Sequence, residues 1–466
     1  MKIGDLAGSG ARPGRLLQWA LQVPPGAGGH APQDDRPPAY IQEAHLRNAR
    51  AMSHRDLHAP SWVGTAFDVG DVDADTLEKA LVTWTMRHET LRSGFRWDGD
   101  GDGAIHRFTL DAEEVALHRT DLGAHEDAEE VVRVLQERCD AATNALSWPN
   151  FVYLALQHDR GTRLYLAFDH INVDAYSIQL MPAQIHELLA AQAGAESVRE
   201  DDSQSYVDFC ELEREQADQV DGDDQVVNTW RAFLAACGGT MPPFPLETGV
   251  APGELAPQEL WTEALVDAEV TAAFDAHCRP SGGLLPGMLA ASAVVVQEAG
   301  GPGTYRTVVP FHTRATSRWG ASVGWYVGAV PVEIHTSQAG SFGEVLALAR
   351  SALRGNRALA RVPVERVLRL LHNDFRPLSP DLFSLTSYVD GRSVTGAASW
   401  PEWNTVGLLR VSRGDQVCVW ITRSEDGLQF ASRLPVNPKA QKNVGRYLDG
   451  LRAVLTSVAR SGTYGE

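Results

Sequence analysis

The sequence lacks paired cysteines. Its five, Cys139, Cys210, Cys237, Cys278 and Cys418, are dispersed and never two or three residues apart. That argues against a disulfide framework and a cysteine-rich zinc site, and no metal is expected. Long apolar runs are also missing, since no stretch approaches the roughly 18 residues that cross a bilayer. The N-terminal MKIGDLAGSGARPGRLLQWALQV has neither a sustained apolar segment nor a cleavage pattern. The expectation is a mature, cytoplasmic protein without a membrane partner. Positive charge is scarce, with 41 Lys and Arg against 60 Asp and Glu and a net charge of -19. Such a surface repels a phosphate backbone, so nucleic acid is not an expected partner, although a local basic patch could hold a phosphate.

What is present is a long, well-mixed chain. At 466 residues with 44% hydrophobic content it exceeds one ordinary core, and two lobes of roughly 200 residues are expected. The period of the pattern alternates between two and 3.6, which gives an α/β (α+β) reading. GRLLQWALQV (14–23), WVGTAFDVG (62–70) and residues 150–158 read as strands. PPAYIQEAHLRNARAM (37–52), residues 71–95 and residues 127–144 read as helices, the second burying Leu77, Ala80, Leu81 and Trp84. FRWDGDGDGAIHRFTL (95–110) reads as a hairpin. Its Asp98, Asp100, Asp102 and Gly103 imitate half a calcium loop, but Thr109 stands where the bidentate Glu belongs, so a solvated turn is expected.

The acidic stretch 195–224 reads as an exposed crossing, dividing a lobe of residues 1–193 from one of residues 194–466. Beyond it, a helix containing Trp230 and strands at ELWTEALV, TYRTVVPF and VGWYVGAVPVEI are expected. Helices follow from PGMLAASAVVVQEAG and FGEVLALARSALRGNRALA. Strands near FSLTSYV, LLRVSRG, VCVWITR and LQFASRL precede a last helix with Val444, Leu448, Leu451 and Leu455 on its face.

Residues 163–181, RLYLAFDHINVDAYSIQLM, organise the rest. Leu164, Leu166 and Phe168 alternate as in a strand, with both faces apolar. From near Ala175 the spacing of Ile178, Met181, Ile185 and Leu188 is helical. His170 therefore sits at a strand-to-helix junction, where a rigid strand end can present an imidazole able to take a proton near neutral pH. Spacing alone is weak evidence: of 15 histidines, His30 and His170 have Asp four residues on. A core or loop histidine beside a helix-capping Asp174 gives the same pattern.

Several separated stretches together are more specific. RHETLRSGF (87–95) resembles RHExLRxxF, DHINVDA (169–175) the HHxxxDG signature, and SYVDF (205–209) a YxDY segment. VGWYVGAVPV (323–332) resembles VGxFVNTLPV, VPVERVLRLL (362–371) is similar to PFExLVxxL, and RPLSPDLFSLTSYV (376–389) to RxxSxxPLF. In this order they identify a resemblance to the condensation-domain superfamily, over roughly residues 15–460: stand-alone condensation enzymes, nonribosomal peptide synthetase domains and polyketide-associated acyltransferases, with chloramphenicol acetyltransferase a distant relative.

The resemblance implies two chloramphenicol-acetyltransferase-like lobes arranged in a V, with His170 midway along a tunnel. It implies acyl transfer from a phosphopantetheine thioester, on a carrier protein or coenzyme A, to an alcohol or amine in natural-product biosynthesis. No permanently bound cofactor is implied. His170 takes the position of the catalytic histidine, while Asp174 and Arg314, in VPFHTRATSRWG, match a structural ion pair. Three positions depart from the pattern. Asp169 replaces the first signature histidine; with an aspartate pKa near 4 it is a poor base at pH 7, and orients the loop or biases the protonation of His170. Ala175 replaces glycine, restricting the backbone. Gly328 stands where the family often has Asn.

Likeness to stand-alone acyltransferases favours ester over amide formation. The alternatives are a non-catalytic member that recruits a carrier protein or partner enzyme, and intramolecular cyclisation of a bound chain. Residues 350–369 hold six arginines and one acid. Arg350, Arg354, Arg357 and Arg361 are candidates for docking an acidic carrier or coenzyme A phosphates; the plainer reading is a solvated helical face.

Overall fold

Strand-forming and helix-forming stretches alternate along the computed structural model, which describes residues 1–23, 33–57, 59–99, 103–194, 204–314, 316–379 and 384–464. Two compact units emerge. The first comprises Met1–Gln219, Arg314–Tyr326 and Ser393–Arg410; the second comprises Val220–Thr313, Val327–Arg392 and Val411–Glu466.

The first unit is built on a seven-stranded sheet. At its centre Phe151–His158 (β1) and Gly161–Phe168 (β2) run antiparallel, with Phe151 opposite Phe168. On its other side β2 pairs antiparallel with Val63–Gly70. Both faces of β2 are covered, which is why its sequence is apolar in both registers. Leu164, Leu166 and Phe168 pack with Leu81, Trp84, Met181 and Ile185 on one face. Tyr165 and Ala167 pack with Val131, Leu135 and Leu154 on the other. Each fully buried large side chain of this kind contributes about 1.5–3 kcal/mol.

The second unit has a five-stranded sheet in the order Thr386–Asp390, Cys418–Ser424, Gly427–Pro435, Ala256–Asp267, Arg413–Gly414. Tyr305–His312 and Val327–Ile334 form an antiparallel pair, and Val308 bridges to Leu385. Pro438–Ser461 buries Val444, Leu448, Leu451 and Leu455. Leu284–Glu298 is apolar almost all round because it is enclosed. Among the described residues no single helix is long and apolar enough to cross a membrane.

The boundary read at 193/194 gives way to a discontinuous division. Residues 195–203 of the acidic crossing lie outside the described residues. The next part is a helix, Tyr206–Asp218, that buries Tyr206, Val207, Phe209 and Cys210 in the first unit. Its charged groups are paired locally: the acid Asp208 with Arg36 at 2.6 Å, and the base Arg214 with Glu43 at 2.5 Å. Two apolar runs also divide. VGWYVGAVPVEI is a strand only from Val327, its first four residues belonging to the first unit. LLRVSRG splits into Val406–Leu409, inserted between Lys2–Gly4 and Val63–Gly70 in the first sheet, and Arg413–Gly414 in the second. Leu117–His125 is an additional edge strand whose half-exposed, polar pattern hides its period.

The Asp100 and Asp102 positions of the suspected calcium loop lie outside the described residues, as does His30. Thr109, its twelfth position, is a strand residue whose hydroxyl donates to Asp34 at 2.7 Å.

Candidate active site

The main chain leaves β2 at Phe168 and forms one turn of 3-10 helix at His170–Asn172. It then enters the helix Ala175–Gln192 (α2). Both turns are capped by the residue before them. Asp169 accepts from the Ile171 N–H at 2.9 Å, and Asp174 accepts from the Ser177 N–H at 2.7 Å. These bonds satisfy amides that a helix start would otherwise leave unpaired. The Asp169 N–H donates to the Asn150 carbonyl at 2.9 Å, tying the turn to the entrance of β1.

Asp174 also meets Arg314, so the capping and ion-pair readings both hold. The guanidinium donates to the two carboxylate oxygens at 2.6 and 3.1 Å, with both side chains almost wholly buried. Arg314 further donates to the Ser177 hydroxyl at 2.8 Å, and its charge lies 4.8 Å from the Tyr176 ring and 4.2 Å from that of Tyr326. The Tyr326 N–H donates to Asp174 at 3.0 Å. Burial opposes charge on Asp174, but the adjacent guanidinium and the hydrogen bonds outweigh it and hold the carboxyl below its ordinary range.

The segment Val323–Tyr326 is fastened to the same point. The Gly324 N–H and carbonyl both meet the Ser177 hydroxyl, at 3.1 and 2.9 Å. A Cβ at Gly324 would come within 2.3 Å of the Tyr206 ring, so this close approach requires glycine. The Tyr206 hydroxyl donates to the Trp325 carbonyl at 3.1 Å. Tyr206 of SYVDF thus supports the segment, while Asp208 joins the Arg36 cluster. Glu89 of RHETL joins that cluster too, 2.9 Å from Arg36, and Ser205 bonds to Glu89.

His170 itself is partly exposed, while its Nδ1 is buried without a hydrogen-bond partner among the described residues. The Trp325 ring lies against the imidazole, with centroids 4.2 Å apart and a 34° tilt. Removal from solvent, and secondly the neighbouring His45, lower its pKa from the ordinary imidazole value. Its own main chain and the carboxylates of Asp169 and Asp174 oppose this. The ring is therefore neutral at pH 7 and can accept a proton.

Asp169 is buried, and its Oδ1 also lies 2.8 Å from His45 Nε2. No motif marks His45 or Trp325. A helical wheel over 40–53 would have placed His45 beside the buried Gln42 and Ala49; Trp325 occupies the variable position of its segment. Ala175 is the exposed first residue of α2, in a helical conformation that alanine adopts readily. Gly328, in the second unit, lies against the Ala360 main chain. A Cβ there would stand 1.9 Å from the Ala360 oxygen, leaving no room for an asparagine.

The four arginines also lie in the second unit. Arg350 and Arg354 are on the helix Phe342–Asn356, and Arg357 and Arg361 bound the following 3-10 turn. Arg354, Arg357 and Arg361 are exposed, and Arg350 is half-buried.

With this geometry in hand, comparison with known proteins gives a consistent result. The family model described as "Condensation domain" matches residues 63–395. The acyltransferase PapA3 of Mycobacterium tuberculosis (strain H37Rv) is 27% identical over 482 aligned residues, covering 99% of this chain and 98% of that protein. The trehalose-2-sulfate acyltransferase PapA2 of Mycobacterium bovis (strain BCG) is 26% identical, covering 96% and 95%. Among solved structures, a PapA2 acyl transferase superposes with a TM-score of 0.88 at 23% identity, covering 98% of this chain and 100% of that one. The first condensation domain of the calcium-dependent antibiotic synthetase, bound to a substrate analogue, gives 0.66 at 17% identity, covering 91% and 97%.

Proposed function

This chain belongs to the condensation-domain family and is an acyltransferase, and from that premise we propose that it esterifies an alcohol with an acyl group carried as a phosphopantetheine thioester. The observation that carries the reading is a neutral, partly exposed imidazole at a strand end whose supporting loop is fixed by a buried ion pair. His170 accepts the hydroxyl proton through Nε2 as the alcohol oxygen attacks the thioester carbonyl. The C–O bond forms, the C–S bond breaks, and the imidazolium returns its proton to the departing thiolate. General-base assistance of this kind is typically worth about 100- to 10,000-fold. Asp174 is engaged by Arg314, Ser177 and Tyr326 and takes no proton in the scheme.

The acceptor class follows the names of the relatives. PapA2 is a trehalose-2-sulfate acyltransferase and PapA1 a 2'-acyl-2-O-sulfo-trehalose (hydroxy)phthioceranyltransferase. A polyhydroxylated acceptor is accordingly our first choice, with amide formation second. The arginines at 350, 354, 357 and 361 are assigned to docking the donor, as an acidic carrier protein or coenzyme A.

The test is incubation of the purified chain with acyl thioesters on coenzyme A and on carrier protein, with matched alcohol and amine acceptors, read by mass spectrometry. Ester products are expected. A strong preference for amines overturns the ester assignment. Carrier binding without transfer from any thioester supports a recruiting role and overturns the scheme.

A further inference from the structure

We propose that His45 is a positioning residue for His170, holding the Asp169 carboxylate and bordering the Trp325 indole so that the turn bearing the His170 ring keeps one orientation. The inference rests on the reading of His170 as the base.

The first ground is the bond itself. Asp169 is 3% exposed, and a carboxylate so placed needs donors on its oxygens. The Ile171 N–H supplies one at 2.9 Å, and His45 Nε2 lies 2.8 Å from the same oxygen. Where the family has a histidine before the base, this chain has an acid, and a histidine from another helix meets it.

The second ground is the indole that both imidazoles contact. His45 meets Trp325 edge-on at 5.4 Å and 83°, while His170 lies against the same residue at 4.2 Å. A shift of His45 would free Trp325 on one side, and with it the surface that supports the base.

The third ground is the helix that carries His45, Tyr40–Ser53 (α1). Gln42, Leu46 and Ala49 recur at helical spacing on its buried side. Gln42 donates to the Ile171 carbonyl at 2.8 Å, and Leu46 and Ala49 pack with Ile171. One face of α1 therefore holds the turn at Asp169 and at Ile171.

A consequence for pH follows. A proton on His45 places positive charge beside His170 and resists protonation of the base, whereas Asp169 and Asp174 favour it and Arg314 is held by Asp174. His45→Gln keeps an N–H for Asp169 but removes the charge.

The experiment uses the full chain as wild type, His45→Ala, His45→Gln and His170→Ala. Steady-state kinetics are combined with NMR titration of the histidine C–H signals, His170 being assigned by its loss in His170→Ala. His45→Ala is expected to lower kcat about tenfold or more, with KM for both substrates changed less than about threefold. His45→Gln is expected to recover most of that loss, with His170 titrating at higher pH than in wild type. Wild-type kcat in His45→Ala together with an unmoved His170 titration in His45→Gln overturns the proposal. Full transfer by His170→Ala overturns the base reading instead, and the titration still reads the effect of His45 without reference to activity.

Discussion

Asp174 shows how one side chain serves two physical needs. It caps α2, and it closes a buried bidentate pair with Arg314 that also gathers Ser177 and the Tyr326 amide. Arg314→Ala leaves that carboxylate charged and without its cation, which should destabilise the first unit by about 3–5 kcal/mol in denaturant unfolding. A loss below about 1 kcal/mol would contradict the role. The folded carboxyl titrates below its ordinary value, so the pair's contribution is complete above that value and is lost as pH falls through the lower, folded one. The effect of Arg314→Ala should therefore shrink in acid. This pair was legible in the sequence because motif order located both partners. His45, Ser177 and Trp325 were not, because their roles come from contacts across 124 positions of chain to Asp169, 147 to Gly324 and 155 to His170, for which local pattern gives no sign.

At the scale of elements, the sequence was readable wherever burial imposed a clean period. β2 and α2 were visible because an apolar strand covered on both faces passes into a helix with buried Ile178, Met181, Ile185 and Leu188. It was least readable where one apolar run serves two units. The break before Val327 is set by the Ser177 hydroxyl and the Tyr206 ring, both distant in sequence, which claim Gly324 for the first unit. Tyr206–Asp218 was hidden for a different reason. Asp208 and Glu213 look solvated until Arg36 and the Tyr40 N–H of α1 are brought beside them. The Ala175 departure has a local explanation, since a helix's first turn accepts alanine without strain. Gly328 is fixed by its approach to the Ala360 carbonyl, a contact within the second unit alone.

For the molecule as a whole, charge and family determine what can be tested. The net charge is -19, yet Arg354, Arg357 and Arg361 stand exposed close together in sequence. An acidic donor would be drawn to such a patch within a protein that otherwise repels it. Reversing charge at Arg354 and Arg357 should raise the donor KM several-fold, with the effect weakening at high salt, while acceptor KM stays put. An unchanged donor KM would return the patch to a solvated helical face. The central claim is that a neutral His170 removes the acceptor's proton. The most direct measurement compares transfer by wild type and His170→Ala, with fold checked by circular dichroism, across pH 5 to 9. The account predicts about a 100- to 10,000-fold loss in the variant, and in the wild type an acid limb below the ordinary imidazole value of about 6.5. A folded variant that transfers acyl groups at the wild-type rate would contradict it.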